Sequence, residues 1–252
     1  MGSNPSSDPE RLAELIRASR STVALTGAGI SVPSGIPDFR TSGKGIWEKV
    51  DPFEVAHIDA FRSDPARFWD FYRPRFAMLG SKEPNAAHRA LAELERRGLL
   101  EAVITQNIDR LHRRAGSRRV IEVHGSIETS SCYECAASYR LEEVDELFDD
   151  AGVAICRECG GHVRPDVVLF GELLPVQAMA EAERLCEHAE LLLCVGSSLE
   201  VYPVAGLPSA TLERGGQVAL VTKGPTPYDA DAAVKLAGDV VDELEAVLAA
   251  LD

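Results

Sequence analysis

The chain has 252 residues, 45% of them hydrophobic, which is enough to bury one sizeable core beside a smaller companion. Its formal net charge of −14 at pH 7 argues against sequence-independent nucleic-acid binding, which depends on clustered Lys and Arg. The N-terminus lacks the apolar core of a secretory signal, and no apolar run reaches the length of a membrane span, so we expect a cytoplasmic protein without a nucleic-acid or membrane partner.

Patterns typical of strands and helices alternate along the chain. In chain order they predict a helix at 9–19, a strand at 22–26, a helix at 88–97, a strand at 102–105, a helix at 109–114 and a strand at 120–123. They continue with a strand at 167–170, a helix at 175–188, strands at 191–195 and 218–221, and a closing helix at 239–250. Because such alternation is typical of a parallel sheet with helices on both faces, we predict an α/β fold with a Rossmann-like, doubly wound sheet.

Two Cys-x-x-Cys pairs predict a metal site. Cys132 and Cys135 form the first pair, and Cys156 and Cys159 form the second after twenty intervening residues. Each pair can supply two thiolates to one ion, which is the tetrahedral four-sulfur arrangement that suits Zn²⁺. Since four sulfurs leave no open coordination position, we predict one structural zinc ion per chain and expect the chemistry to lie elsewhere.

Two segments interrupt the alternating order and predict a smaller domain. Residues 41–87 are rich in aromatic side chains and broken by prolines, which indicates short helices and loops. The cysteines mark the other segment as a zinc ribbon. The predicted division has a flexible N-terminus at 1–8, a Rossmann-like domain at 9–40, 88–126 and 166–252, and a small domain with a helical part at 41–87 and a zinc-ribbon part at 127–165.

The glycine turn Gly27-Ala28-Gly29 follows a predicted strand, as in dinucleotide-binding proteins. Glycines there let the backbone approach a pyrophosphate at the N-terminus of a helix. Val32 stands where the third glycine of that pattern would be, and no acidic residue stands at the end of a second strand. On this turn alone, a nucleotide site and a plain tight turn are equally supported.

Six longer motifs change that balance. They are Thr26–Ser31, Pro33–Arg40, Thr105–Asp109, Glu122–Gly125, Phe170–Glu172 and Gly196–Ser198. At these residues the chain resembles the sirtuins, the NAD-dependent protein lysine deacylases, and in particular their single-domain members of bacterial or archaeal type. The resemblance runs nearly from end to end, with the four cysteines in the family's places.

The resemblance implies that NAD is the co-substrate. Phe39 is expected to shield the reactive sugar carbon and Arg40 to reach a phosphate, although a lone Phe is usually a core residue. Residues 106–109 follow a strand end, where open α/β sheets bind ligands, and they also fit the cap of a helix. Thr222 stands where many relatives have Asn and offers the ribose fewer hydrogen bonds. The implied NAD contacts are Gly27, Ala28, Gly29, Ile30, Ser31, Pro37, Asp38, Phe39, Arg40, Gln106, Asn107, Ile108, Asp109, Gly196, Ser197, Ser198, Thr222 and Val240.

His124 is the expected catalytic base. Imidazole titrates near neutral pH and can take a proton from a ribose hydroxyl. The pair His124-Gly125 after an apolar strand matches the family's pattern, and the other histidines lack a comparable context. Taken without the resemblance, a structural histidine or a metal ligand is an equally good interpretation.

Acylated-lysine proteins or peptides are the implied partners. By resemblance, the peptide binds as an added strand between 168–172 and 199–202. Tyr72 and Arg75 form a Tyr-x-x-Arg that resembles the pair of sirtuins that remove succinyl or malonyl groups. Pro74 is expected to bend the segment between them, and a surface aromatic beside a solvated arginine is the open alternative. The implied substrate contacts are Ala56, Tyr72, Arg75, Val168, Phe170, Gly171, Glu172, Leu199 and Val201.

The implied reaction transfers the acyl group of a lysine to ADP-ribose and yields nicotinamide, O-acyl-ADP-ribose and free lysine. Asp38, where deacylase relatives often carry Thr, favours a plain deacetylase, so the acyl preference stays open. Two alternatives of other classes are an NAD(P)-linked dehydrogenase, suggested by the glycine turn, and a non-catalytic zinc-ribbon interaction protein. ADP-ribosyl transfer to protein is a further alternative within the family.

Overall fold

The computed structural model of the chain describes residues 8–37 and 52–252. The strands are β1 (Thr22–Thr26), β2 (Ala102–Thr105), β3 (Val120–Glu122), β4 (Gly125–Cys132), β5 (Ser138–Arg140), β6 (Val163–Val167), β7 (Leu191–Val195), β8 (Gln217–Val221) and β9 (Val234–Leu236). The helices are α1 (Asp8–Ala18), α2 (Pro52–Val55), α3 (Ile58–Ser63), α4 (Pro65–Gly80), α5 (Ala86–Arg96), α6 (Leu111–Ala115), α7 (Leu141–Val144), α8 (Val176–His188), α9 (Leu207–Glu213) and α10 (Val240–Leu251). Short 3-10 helices cover Ala28–Ser34, Asp145–Leu147 and Val204–Gly206. No helix in these described ranges is both long and apolar enough to cross a bilayer.

Six strands form one parallel sheet in the order β3-β2-β1-β7-β8-β9. The chain begins this sheet in its middle, at β1, and builds outward to β3. It then returns to place β7 on the other side of β1. This reversal opens a crevice at the carboxyl ends of β1 and β7, which is where open α/β sheets bind ligands.

Helices cover both faces of the parallel sheet, which explains why its central strands are uninterrupted apolar runs. Every residue of β1 and of β7 is buried. One core cluster, with Leu12, Leu91 and Leu244, packs α1, α5 and α10 against one face. A second cluster, with Leu185 and Leu207, packs α8 and α9 against the other face. The predicted doubly wound α/β fold is confirmed.

A smaller antiparallel sheet has the strand order β5-β4-β6. The helices α3 and α4 pack against it through aromatic side chains, and Phe61, Phe68 and Trp69 share one core cluster with Val163 of β6. The indole of Trp69 donates a hydrogen bond to the Val163 carbonyl at 3.0 Å. Helices are observed here from residue 52 onward; α2 and α3 are short as predicted, but α4 has 16 residues. Residues 41–51 lie outside the described part.

One local prediction is wrong. The strand predicted at 167–170 lies instead at Val163–Val167, and it pairs with β4 of the small sheet. Val167 and Leu169 are buried in the core of the small sheet. Their apolar sequence pattern is therefore the same as that of a strand in the large sheet. At Pro74, α4 continues, so the proline does not end the helix. Proline has no backbone N–H to donate to the carbonyl four residues earlier. Pro74 is exposed, so water can donate to that carbonyl instead.

Candidate functional site

The glycine-containing turns after β1 and β7 meet at the crevice at the carboxyl ends of these two strands. The Gly29 amide donates to the Gly196 carbonyl at 2.8 Å, and the Gly27 amide donates to the Val195 carbonyl at 3.1 Å. A Cβ atom on Gly29 would lie 2.7 Å from the Gly196 oxygen, and one on Gly196, whose φ is +61°, would lie 2.2 Å from the Ile30 nitrogen. Gly27, Gly29 and Gly196 therefore form a glycine floor of bare backbone, which is what the close approach of a pyrophosphate requires.

A buried polar network of Ser31, Asn107 and Asp109 joins the glycine floor to the residues after β2. Ser31 Oγ donates to Asp109 Oδ2 at 2.6 Å, and the Asn107 side chain donates to Ser31 Oγ at 3.2 Å and to the Gly27 carbonyl at 3.1 Å. Burial raises the pKa of Asp109 although Ser31 and the Leu111 amide both donate to it. Its bond with the Leu111 amide, at 2.9 Å, comes from the residue before the N-cap of α6. That cap position is Arg110, so the alternative interpretation of Asn107 or Asp109 as the helix cap is wrong.

Two buried histidines that the sequence did not single out lie behind this network. His88 Nε2 is 3.4 Å from Ser31 Oγ, His112 Nε2 is 2.9 Å from Thr26 Oγ1, and the two ring centroids are 4.9 Å apart. Burial lowers the pKa of His88 to about 4 and also lowers that of His112. Both rings are therefore neutral hydrogen-bonding groups at neutral pH. The only feature of the sequence that could have indicated them is a polar residue on an apolar helix face.

His124 lies just past β3, at the same edge of the sheet. Its Nδ1 donates to the Gln106 carbonyl at 3.0 Å, which leaves Nε2 as the ring nitrogen able to accept a proton. Burial lowers the pKa of His124, although the bond to Gln106 opposes this, so the neutral form prevails at pH 7. The side-chain amide of Gln106 donates to Ser197 Oγ at 3.0 Å and so links the turns after β2 and β7.

Of the two segments predicted to hold the peptide, 168–172 follows the small sheet and 199–202 follows β7 of the large one. The Val168 amide donates to the His124 carbonyl at 2.9 Å, and the Phe170 amide donates to the Ala56 carbonyl at 2.8 Å. Leu199, in the other segment, is buried with a φ of +55°. A left-handed backbone is unusual for leucine, and such strained residues are concentrated at binding and active sites.

Large apolar side chains are exposed beside these segments. Leu173, Val176 and Tyr202 are 89%, 76% and 75% exposed. Leu174 packs against the core cluster that contains Leu199. Exposed apolar side chains in or next to both segments indicate a surface that binds another molecule.

Tyr72 and Arg75 lie close together on α4, as their spacing predicts. The Tyr72 ring packs between Phe68 and Phe76, with centroid distances of 4.6 and 5.1 Å, and burial raises its pKa. The Arg75 guanidinium lies 3.4 Å over the centre of the Phe71 ring and donates to the Phe71 carbonyl. Tyr72 is therefore partly buried, and the open alternative of a plain surface aromatic does not describe it.

The four cysteines of the predicted metal site come together. Their sulfur atoms all lie within 4.8 Å of one another, with 3.5 Å from Cys132 to Cys159 and 3.6 Å from Cys135 to Cys156. A tetrahedral ion with Zn–S bonds of about 2.3 Å holds its sulfurs about 3.8 Å apart, so this set fits zinc. The Tyr139 hydroxyl lies 3.1 Å from Cys156 Sγ, where it can donate to a thiolate.

The other predicted NAD contacts are spread over the same edge of the sheet or lie outside the described residues. The Thr222 amide donates to the Leu236 carbonyl at 3.0 Å, at the end of β8. Val240 begins α10 and its side chain is buried in the core. Ser198 is exposed beside the crevice. Residues 38–40, with the predicted Asp, Phe and Arg, lie outside the described part of the chain.

Known proteins of one family match this chain. The Sir2 family model matches residues 27–203. An NAD-dependent protein deacetylase of Thermotoga maritima is 49% identical over 230 residues, 91% of this chain and 92% of that protein. NAD-dependent protein deacylase 2 of Archaeoglobus fulgidus is 45% identical over 239 residues, 94% of each.

Solved structures match over almost the whole chain. A histidine variant of Sir2 with a deacetylated p53 peptide and 3′-O-acetyl ADP-ribose is 45% identical, with a TM-score of 0.91 over 95% of this chain and 97% of that chain. Sir2Tm bound to a propionylated peptide is 43% identical, with a TM-score of 0.88 over 96% of this chain and 99% of that chain.

Proposed function

The chain belongs to the Sir2 family, and we propose that it is an NAD-dependent protein deacylase. It removes acyl groups, acetyl among them, from protein lysine and releases nicotinamide, O-acyl-ADP-ribose and free lysine. The observation that carries this proposal is that His124, the glycine floor and the buried polar network meet at one edge of the sheet. A nucleotide and a proton acceptor can therefore be brought together there.

His124 is the proposed general base. NAD supplies the ribose carbon that the acyl oxygen attacks as nicotinamide leaves. His124 Nε2 then takes a proton from a ribose hydroxyl, so that this hydroxyl can attack the acyl carbon. The bond from that carbon to the lysine nitrogen breaks, and water completes the transfer of the acyl group to ADP-ribose. Its lowered pKa favours the neutral form that can accept the proton, and the bond from Nδ1 to the Gln106 carbonyl holds the ring in one orientation.

The nucleotide is proposed to lie over the glycine floor, with its ribose and carboxamide facing the polar network. Ser31 and Asn107 supply a hydroxyl and an amide, and Asp109 supplies a buried carboxylate that two donors already orient. Asp38 to Arg40 are proposed to cover the nicotinamide and a phosphate. Thr222 would meet the adenosine end, where a single hydroxyl gives weaker recognition than an amide.

The acylated peptide is proposed to add as a strand between 168–172 and 199–202. Backbone pairing would supply affinity, and the exposed apolar side chains of Leu173, Val176 and Tyr202 would favour apolar residues next to the acyl-lysine. The acyl group itself would reach towards α4.

Tyr72 and Arg75 are proposed to hold the distal carboxylate of a succinyl or malonyl group. They share one face of α4, because Pro74 does not interrupt the helix. The Arg75 guanidinium, which donates to the carbonyl of Phe71, would have to exchange that bond for the carboxylate. An acetyl group carries no such charge and would not use the pair.

The zinc ion is structural, since the four cysteines occupy all four positions of a tetrahedral ion. We place the protein in the cytoplasm. None of the six cysteines forms a disulfide, which suits a reducing compartment.

Mass spectrometry of acetyl-, propionyl- and succinyl-lysine peptides tests the function. With enzyme and NAD, we expect free lysine, nicotinamide and O-acyl-ADP-ribose, and with enzyme alone no change. His124→Ala should lower the rate by at least about 10²-fold while ADP-ribose still binds. His188→Ala, which changes an exposed histidine at the end of α8, is the matched control and should leave the rate unchanged.

Three results would contradict the proposal. Reduction of NAD to NADH without loss of an acyl group would instead favour the dehydrogenase alternative. Transfer of ADP-ribose to protein with no O-acyl-ADP-ribose would favour ADP-ribosylation. Near-normal turnover by His124→Ala would refute the assignment of the base.

A further inference from the structure

The segment 168–172 is tied to parts of the chain that are distant in sequence. The Val168 amide donates to the carbonyl of the proposed base His124 at 2.9 Å. Phe170 forms a short parallel bridge with residues 56–58, in which its amide donates at 2.8 Å and its carbonyl accepts at 3.0 Å. These bonds fix the beginning and the middle of the segment against the catalytic edge and the helical part of the small domain.

An ion pair fixes the end of the segment against the small sheet. Arg164, in β6, donates to both carboxylate oxygens of Glu172, at 2.5 and 2.8 Å, and also to the Val167 carbonyl at 2.7 Å. Glu172 also accepts from the Leu169 amide at 2.9 Å. Burial alone would raise the pKa of Glu172, but the hydrogen bonds from Arg164 and Leu169 outweigh it and lower that pKa.

The surroundings of this pair distinguish it from an ordinary surface ion pair. The side chains of Arg164 and Glu172 are only 13% and 25% exposed, and no other ion-paired arginine in the described residues is so well covered. A forked guanidinium on a carboxylate fixes orientation as well as distance, and cover from solvent makes that bond stronger.

The sharp turn at Gly171 depends on the ion pair between Arg164 and Glu172. Gly171 has a φ of +85°, and a Cβ there would lie 2.6 Å from His57 Nε2, so the backbone turns sharply at a crowded point. Glu172 follows directly, and its bond to the Leu169 amide closes the turn. A peptide strand can pair with this segment only if the backbone groups that receive it are held in fixed positions.

We propose that Arg164 is a positioning residue for the acylated peptide. Through Glu172 it holds 168–172 in the form that pairs with the peptide, and it thereby connects the zinc-binding small domain to peptide binding. Both oxygens of Glu172 are engaged within the protein, so this carboxylate shapes the segment and does not bind the substrate. The inference rests on the proposed deacylase function.

The test separates peptide binding from nucleotide binding. Arg164→Gln keeps an amide donor but removes the charge and the fork. At saturating NAD, we expect the KM of an acetylated peptide to rise about tenfold, with a smaller change in kcat. The Kd of ADP-ribose, measured by calorimetry, should stay within about twofold, because the glycine floor and the polar network do not involve Arg164.

Arg157→Gln is the matched control. It removes an exposed ion pair with Glu146, at 2.7 Å, in the same small domain, and should leave the peptide KM unchanged. Glu172→Gln should raise the peptide KM as Arg164→Gln does. The double variant should be no worse than either single one, since both substitutions break one interaction.

Each other outcome overturns the inference. An unchanged peptide KM in folded Arg164→Gln, an equal loss of ADP-ribose affinity, or additive effects in the double variant would mean that Arg164 does not act through this segment. If Arg164→Gln does not fold, Arg164→Lys replaces it, and a wild-type KM in that variant is the contradicting result. Absence of turnover by the unmodified protein would refute the proposed function instead.

Discussion

Substitution of Gly196 by alanine tests the glycine floor. The new Cβ would lie 2.2 Å from the Ile30 nitrogen and 2.6 Å from the Gly29 carbonyl carbon. Both are backbone atoms, so no side chain can rotate away. Even to reach a separation of 3.0 Å, the turn after β1 must withdraw by about 0.8 Å, which carries Gly29 and Ser31 away from the nucleotide.

The size of the effect follows from this displacement. A misplacement of about 1 Å in a binding site can cost about 10²-fold, so we expect the Kd of ADP-ribose and the KM of NAD to rise by about tenfold to a hundredfold. Alanine with a positive φ costs about a further 1–2 kcal/mol of stability. Gly215→Ala is the matched control, because its φ is +85° but its Cβ would meet nothing within 4 Å.

Calorimetry with ADP-ribose measures the loss of nucleotide affinity, and thermal unfolding measures the loss of stability. Both variants should lose several degrees of Tm through backbone strain, about 2–4 °C per kcal/mol for a chain of this size. Only Gly196→Ala should also lose nucleotide affinity. If it binds ADP-ribose as tightly as the wild type, or if Gly215→Ala loses as much affinity, the glycine floor does not act by close approach.

Three other predictions follow from the site. Cys132→Ala should abolish stoichiometric zinc by elemental analysis and lower the Tm, because one lost thiolate opens a site whose binding energy supports the fold; full zinc content would contradict this. Arg75→Met should lower kcat/KM for succinyl-lysine about tenfold to a hundredfold and leave acetyl-lysine unchanged, and equal losses on both would make Arg75 structural. Burial lowers the pKa of His124 from 6.5, so the neutral base persists as the pH falls, and the acid limb of kcat/KM should have its midpoint below 6.5. A midpoint above that value would mean that another group limits the rate.

Most of the fold and of the site could be predicted from short local patterns in the sequence. The four cysteines could be grouped from spacing alone because a metal imposes its own geometry on its ligands. Buried strands could be recognised because both faces of a parallel sheet are covered. The predicted domain boundaries stay predictions. The buried pair of His88 and His112 was missed, because single polar residues on apolar helix faces reveal nothing about which residues they meet.

The apolar run at 167–170 shows why pairing partners were harder to predict. A short apolar stretch fits the large sheet or the small one equally well, and the choice depends on a partner some forty residues earlier in the chain, β4. Gly125 makes that pairing possible, because its φ is +75° and a Cβ there would lie 2.1 Å from the Asp166 carbonyl oxygen. The corrected assignment also has a functional consequence. Since β6 ends in the small sheet, the segment proposed to bind the peptide starts where that sheet stops, and Arg164 of β6 can hold it.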